Sequence, residues 1–420
     1  MTSPPPAGRA AALAPFAVRS FRFQWPADLA TSWAFEMEAL ILGWYVLSTT
    51  GSVQYLVIIA ALAWLGTLFS PLLGIVADRI GVRTLLCATR ALYALLAGVL
   101  TALTLGGTLA PWHVFVISAI AGLLRPSDMA MRHVLVAQTM RSDMLIGALA
   151  ISRTTSDTAR IVGALAGTGG VALIGMGPAY AVVTLMYVAA FLLSLGVAAP
   201  VRASLERADA AALDALAGLK QAARYVWTKP DLLGPFSLAF LVNLLAFPFF
   251  LGLLPFVAKD VYGVGQSGLG YLAMAFWSGA LAGSLAVGAN RVPLRAARVM
   301  LWTAAAWFVT ILMFGQTQSM GPGLVLLFAS GFVQSFCLTP LAAVMLRASS
   351  DEMRGSVMGM RMLAIWGLPL GLLAAGPIIE HFGYAACTLI YAGVGLAATM
   401  AIGYRWRRVL WDRAAAANYV

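Results

Sequence analysis

Twelve stretches of about 20 mainly apolar residues follow one another along the chain, and a helical run of that length reaches across the hydrocarbon of a bilayer. They read as spans at roughly 26–48, 54–77, 84–105, 111–131, 145–174 and 178–199. A second set follows at 234–258, 266–289, 297–316, 322–346, 355–378 and 383–404. Composition agrees: 61% of the 420 residues are apolar and 10% charged, against about 25% charged in ordinary soluble domains. So few charges cannot cover a water-facing surface. The expectation is an all-α polytopic membrane protein with twelve transmembrane helices in two six-helix pseudo-repeats.

The domain reading follows from the same runs. Residues 1–20 form a tail, 21–199 an N-terminal six-helix bundle, 200–233 a linker helix along the cytoplasmic face, 234–404 a C-terminal six-helix bundle, and 405–420 a C-terminal tail. The tail is rich in proline and alanine without a long apolar core, so no cleaved signal peptide is read there. The linker interleaves charges with Leu205, Leu213, Leu216, Leu219 and Tyr225 and ends near Lys229-Pro230.

Of the 27 basic residues, 21 lie in the tails and the even-to-odd loops or at their margins, one (Lys259) in the opposite loops, and five within spans. By the positive-inside rule both termini are cytoplasmic; the membrane expected is the inner membrane of a bacterium. That asymmetry accounts for the net charge of +11 without nucleic acid as a partner. The partners expected are a small-molecule substrate and the bilayer, with the protein a monomer. Cys87, Cys337 and Cys387 and the three histidines are scattered, so neither a disulfide framework nor a metal site is read. No nucleotide-binding loop or clustered nucleophile and base is visible, so the chain reads as a non-enzyme with no cofactor.

The halves read as repeats. Gly122 followed by Ser142-Asp143-Met144 matches Gly331 followed by Asp351-Glu352-Met353 at an offset of 209, and Leu185-Met186-Tyr187 answers Leu389-Ile390-Tyr391 at 204.

The loop between spans 2 and 3 reads Gly74-Ile-Val-Ala-Asp78-Arg79-Ile-Gly81-Val-Arg83. It resembles the signature loop of the major facilitator superfamily, G-x-x-x-D-R-x-G-R-[RK]. The resemblance covers about residues 20–404 and implies the major facilitator fold. It also implies that Gly74, Asp78, Arg79, Gly81 and Arg83 form a conformational latch, with Arg354 and Arg361 at the start of span 11 as candidate partners of Asp78. Two features depart from the family's exporters. Span 5 carries Gly163-Ala-Leu-Ala-Gly167 with Ala164 where their element has proline, and Ser118 stands where drug/proton antiporters have an arginine. The small-x-x-x-small spacing of Gly163 and Gly167 still permits close helix packing. Tyr45–Ser52, Arg125-Pro126 and Leu254–Val261 resemble the enterobactin-exporter and macrolide-efflux branch, which implies export of a siderophore or amphipathic drug.

An ionised side chain in a span costs several kcal/mol, so each needs a partner, a wet cavity or a role. The spans hold Asp28, Glu36, Glu38, Asp128 and Asp157 against Arg90, Arg125, Arg153, Arg160 and Arg361, a balance that favours internal pairing. Glu36 and Glu38 lie mid-span and point about 160° apart. One is therefore expected at a cavity, as a proton-coupling or cation-recognising carboxylate, and the other against a neighbouring helix; a structural ion pair at both is the alternative. Arg125, Asp128 and Arg132 in span 4, and Arg153, Asp157 and Arg160 in span 5, each put three charges on one helix face. Arg160 is read as holding an anionic group of the substrate or a cavity carboxylate, or else as part of a network tying spans 4 and 5. Arg90 and Arg361 are read as snorkelling or gate residues. Asn243 and Gln334 are read as inter-helical hydrogen-bonding residues or cavity residues. Several aromatic residues, Trp33, Phe35 and Trp307 among them, are candidates to line a cavity. The leading reading is a proton-driven exporter working by alternating access; a proton-coupled importer and a non-transporting receptor are the alternatives.

Overall fold

The computed structural model describes residues 14–67, 69–198, 220–289, 296–350 and 353–407, all of them helical or in short turns with no strand among them. Span 1 is one helix, Arg19–Thr50; spans 3 to 6 are Val82–Leu105, Pro111–Thr139, Ser142–Ile174 and Met176–Leu195. Spans 8 to 10 are Gln266–Ala289, Ala296–Gly315 and Met320–Ala348, and span 12 is Tyr384–Arg405. Among the described residues eight helices are long and apolar enough to cross a membrane, and they are spans 3, 4, 6 and 8 to 12.

The other four predicted spans differ for two physical reasons. Spans 1 and 5 are long enough, at 32 and 33 residues, but carry the charge clusters. Spans 2 and 7 are broken. Span 2 is Val53–Leu62, a single 3-10 turn, then Ser70–Ile80. Span 7 runs Pro230–Leu245 and continues through short turns at Pro248–Leu251, Leu254–Phe256 and Val257–Val261. Pro71, Pro248 and Pro255 each stand at the first or second position of a restarted helix, where the missing N–H costs nothing. Span 11 is also stepped, as Arg354–Leu363, a 3-10 turn and Gly367–Phe382.

The chain forms two compact units. The first comprises Met1–Ile41 and Phe69–Ala212, the second Leu42–Leu68 and Leu213–Val420. In the first, span 5 crosses span 1 where Gly163 and Gly167 leave room. A Cβ on Gly163 would stand 2.8 Å from Glu36 Cβ, and one on Gly167 would stand 2.7 Å from Met37 Cα. In the second, Gly367 and Gly371 of span 11 do the same against span 7, where a Cβ on Gly367 would stand 2.7 Å from the Phe240 carbonyl and one on Gly371 would strike that of Leu244. The glycine pairs are related by an offset of 204, and the backbones they meet by 207 (Met37 to Leu244). On that register Asn243 occupies the place in span 7 that Glu36 holds in span 1.

The second unit also takes in Leu42–Leu68. Lys259 Nζ donates to the Leu47 carbonyl at 3.1 Å in the last turn of span 1, and the Ser52 hydroxyl donates to Glu380 at 3.3 Å. Its core is aromatic: Phe250 and Phe276 stack at 4.2 Å beside a fully buried Trp307.

Of the linker, 200–219 lie outside the described residues; 220–228 are helical and stop at Lys229, which precedes Pro230 at the next helix start. Here the Tyr225 hydroxyl accepts from Lys229 Nζ at 2.7 Å and from the Ser350 N–H at 3.1 Å. The Lys229 ammonium and the Ser350 donors hold this phenol down to about 8 from its ordinary 10.0. An acid with a lowered folded pKa adds stability above its unfolded value and loses it as pH falls through the folded one, so this tie strengthens from pH 8 towards 10. Subtracting the ultraviolet pH titration of Tyr225→Phe from that of the wild type is expected to show one phenolate with a midpoint near 8. A midpoint at 10 or above would contradict it.

Candidate functional site

The ionisable groups of the first unit sort into three sets. The deepest is a quartet. Arg90 donates to Asp28 and to the Ser194 hydroxyl, and its Nε lies 3.8 Å from Asp128. Arg132 pairs with Asp128, stands 3.8 Å from Asp28, and donates to the Ser32 hydroxyl at 2.8 Å. The side chains of Arg90 and Asp128 are wholly buried and those of Asp28 and Arg132 are 10% exposed. Two acids and two bases from spans 1, 3 and 4 cancel in a medium that strongly disfavours a lone charge. Arg90 therefore does not snorkel. It enters span 3 about 12 Å from the helix start, at 1.5 Å per residue, and two carboxylates meet it there.

The second set is shallower. Glu36 of span 1 lies 3.6 Å from Arg160 Nε of span 5, and Arg160 lies 3.8 Å from Asp157. Asp157 in turn accepts from Arg153 at 3.2 Å. The side chains of Glu36, Asp157 and Arg160 keep 22%, 18% and 26% of their surface uncovered by protein, unlike the sealed quartet. Gly163 sets this geometry, since it lets the Trp33 backbone and the Glu36 Cβ of span 1 come close enough for the carboxylate to meet a guanidinium one turn earlier in span 5.

Glu38 turns the other way, as a rotation of about 160° from Glu36 demands. Its two oxygens accept from the hydroxyls of Tyr180 at 2.5 Å and Tyr187 at 2.8 Å, both on span 6. Spacing seven apart puts those tyrosines on one helix face, a signal present in the sequence that the reading of Glu38 did not use. Beside them Phe35, Tyr93 and Tyr187 pack ring against ring, Phe35 at 5.1 Å from Tyr93 and 5.7 Å from Tyr187. Arg125 leaves its ladder: its guanidinium lies 4.4 Å over the Phe35 ring while Asp128 turns to Arg132 and Arg90.

The remaining candidates are more scattered. Gly81 ends span 2 and begins span 3 at φ 93°, a conformation open to glycine and strained for other residues. Arg83 donates at 2.5 Å to the Leu195 carbonyl, at the C-terminal end of span 6 where a cation is favoured. Arg354 does likewise for Leu346 of span 10, at 3.2 Å. Gly74 is exposed with nothing within 4 Å of where a Cβ would stand among the described residues, so close packing is not what it provides. Arg79 is exposed and Arg361 half-buried. The side chain of Asp78, and so its expected partnership with Arg354 or Arg361, lies outside what the structure describes. Asn243 bonds its own helix, at 2.8 Å to the Ala239 carbonyl, and Gln334 Oε1 is buried without a partner among the described residues. Among the described residues no three histidine, cysteine or acidic side chains cluster as a metal site would.

Solved structures of transporters resemble this arrangement of helices along nearly their full length. A D-xylose–proton symporter matches with a TM-score of 0.70 at 14% identity, covering 91% of this chain and 97% of that one. The nucleoside transporter NupG matches at 0.65 and 15%, covering 93% and 100%. The human organic anion transporter MFSD10 matches at 0.63 and 17%, covering 91% and 99%. At such identities the likeness is one of fold. No curated protein sequence matches significantly. The family model described as Major Facilitator Superfamily matches residues 25–364, most of the chain, and with the signature loop and the duplicated glycine crossings it leads to one conclusion: this multi-pass membrane protein belongs to the major facilitator superfamily of transporters.

Proposed function

We propose that this protein is a proton-driven exporter that carries a siderophore or an amphipathic drug-like molecule across the inner membrane of a bacterium. It would do so as a monomer with both termini in the cytoplasm and with no cofactor beyond the proton gradient. The observation that carries the reading is the Glu36–Arg160 pair, a carboxylate and a guanidinium 3.6 Å apart, mid-span and partly open. A proton arriving on Glu36 neutralises it, and Arg160 is left to Asp157 alone. When the proton leaves, the pair re-forms and draws spans 1 and 5 together, so the protonation state of one carboxylate biases two arrangements of the helices. The Asp78 loop serves as the latch on that motion, through Gly74, Asp78, Arg79, Gly81 and Arg83 with Arg354 and Arg361.

The test is accumulation of catecholate and hydroxamate siderophores, macrolides and lipophilic cations by efflux-deficient bacteria with and without the protein. Lower accumulation that a protonophore abolishes is the expected result, and Glu36→Gln should return it to the level of cells lacking the protein. Glu38→Gln should cost stability, about 1–3 kcal/mol for weakened bonds to two buried phenols, while leaving a gradient-sensitive remainder of transport. If E36Q transports as well as the wild type under a pH gradient, the coupling role is lost. Higher accumulation with the protein would favour the second reading, a proton-coupled importer, to which Ala164 and Ser118 already lend support as departures from the exporter pattern.

A further inference from the structure

We infer that the end of the linker, residues 220–228, is a binding surface for anionic phospholipid headgroups. This stretch of helix has two faces. At about 100° per residue Lys220, Arg224 and Trp227 fall within about 60° of one another, and all three are exposed, Trp227 by 65%. Ala222 and Val226 fall on the far side and are wholly buried. Tyr225, off the exposed face, ties the helix to the chain after span 10 through the Ser350 N–H at 3.1 Å. The helix is therefore fixed on one face and offers two cations and an indole on the other. Residues 220–228 contain no acid, and Lys220 and Arg224 enter no ion pair among the described residues.

The height of the indole identifies what meets this face. The backbone leaves the helix at Lys229, with φ −108° and ψ 110°, and restarts at Pro230 as span 7. In an unbroken helix Trp227 and Phe236 would lie about 13 Å apart along the axis. The break brings their rings to 6.5 Å. Phe236 belongs to the second turn of span 7, at the margin of the apolar run that begins at 234. An exposed indole beside it stands where hydrocarbon gives way to headgroups, the depth that tryptophan favours. Lys220 and Arg224 lie one and two turns away on the same face, and their long stems let the cations reach phosphate while the indole keeps its height. Two cations there favour a lipid with net negative charge over a zwitterionic one, whose own ammonium group would meet like charge. A soluble acidic protein would have to displace lipid from Trp227 to reach the same cations.

The test uses the full-length protein in phosphatidylcholine nanodiscs that hold a minor fraction of acyl-brominated phosphatidylglycerol or, in parallel, of phosphatidylcholine brominated at the same positions. Bromine quenches tryptophan at short range, and the Trp227 signal is the wild-type emission less that of Trp227→Phe. Brominated phosphatidylglycerol should quench it about threefold more strongly than brominated phosphatidylcholine, since each cation near an anionic surface is worth about fivefold before screening. Lys220→Gln combined with Arg224→Gln, compared with its own W227F counterpart, should make the two lipids equal. Quenching by brominated phosphatidylcholine should persist there, because the indole keeps its place. Raising the salt to about 0.5 M should likewise remove most of the excess from the wild type. That measurement carries the test should the double variant not elute as a folded species. Equal quenching of the wild type by the two lipids would overturn the inference. So would an excess that survives the double substitution or, if that variant does not fold, high salt. Quenching by neither lipid would also overturn it, by placing Trp227 away from the bilayer. Loss of the excess to inorganic phosphate, at an ionic strength where chloride leaves it intact, would assign the cations to free phosphate and overturn the lipid assignment. The surface is separate from Glu36 and Arg160, so its outcome is independent of whether transport is proton-driven.

Discussion

Arg90→Met is expected to destabilise the protein by about 3–5 kcal/mol, the usual cost of removing one member of a buried ion pair. The side chain of Arg90 is wholly buried, and it donates to Asp28 on span 1 and to Ser194 on span 6 while lying against Asp128 of span 4. Methionine fills much of its volume, so packing changes little; what is lost is the charge. Two carboxylates would then share Arg132, and one would have to take a proton or draw in water. The loss should appear as a large fall in the thermal midpoint of detergent-solubilised protein and as aggregation on size-exclusion chromatography. A second substitution separates charge from shape: D28L in the R90M background removes the stranded carboxylate, leaves Asp128 with Arg132, and should recover at least half of the lost midpoint. Arg153→Met is the contrast. Its side chain is 75% exposed and its bond to Asp157 is a surface pair, so a change within about 0.5 kcal/mol is expected. An unchanged midpoint in R90M would mean that the quartet is not held as described.

The quartet also shows where sequence reasoning reaches and where it stops. Run length and the paucity of charge dictate a polytopic helical membrane protein, because lipid leaves an apolar chain few other ways to satisfy its backbone. The equal count of acids and bases in the spans pointed to internal pairing. Which acid meets which base is decided by helix neighbours, and helical spacing is silent on those. Arg125, Asp128 and Arg132 share a face by periodicity, yet Asp128 goes to Arg132 and to Arg90 of another helix, and Arg125 goes to Phe35. Glu36 and Glu38 were separable from their angle alone. Their partners, Arg160 on span 5 and two tyrosines on span 6, required the fold. The breaks in spans 2 and 7 were legible in principle at Pro71, Pro248 and Pro255. A proline inside a span is ambiguous, however, for Pro126 and Pro340 sit within unbroken helices.

Gly167→Leu and Gly371→Leu are expected to have matching effects in the two halves, each well above the roughly 1–3 kcal/mol of ordinary overpacking. The reason is what stands opposite. A Cβ on Gly167 would lie 2.7 Å from the Cα of Met37, and one on Gly371 would collide with the carbonyl of Leu244, so in both places backbone faces backbone. A side-chain neighbour could rotate away; a helix has to move. In lipid these close approaches supply much of the packing between helices, since burial of apolar surface offers no gain over the acyl chains. Displacing span 5 from span 1 also carries Glu36 away from Arg160. Gly167→Leu should therefore lose gradient-driven transport even in whatever fraction folds, whereas span 7 has Asn243 at the place of Glu36 and no such ion pair to break. Gly169→Leu is the control, on the same helix with nothing within 4 Å of its Cβ position among the described residues. The measurement is the thermal midpoint of all three variants, joined to accumulation assays on those that fold. Equal loss in G167L and G371L with G169L near wild type would establish the two crossings as equivalent in the duplicated fold. A G167L protein as stable as G169L would show that span 1 can retreat from span 5 at little cost, and the placement of Glu36 would then need another cause.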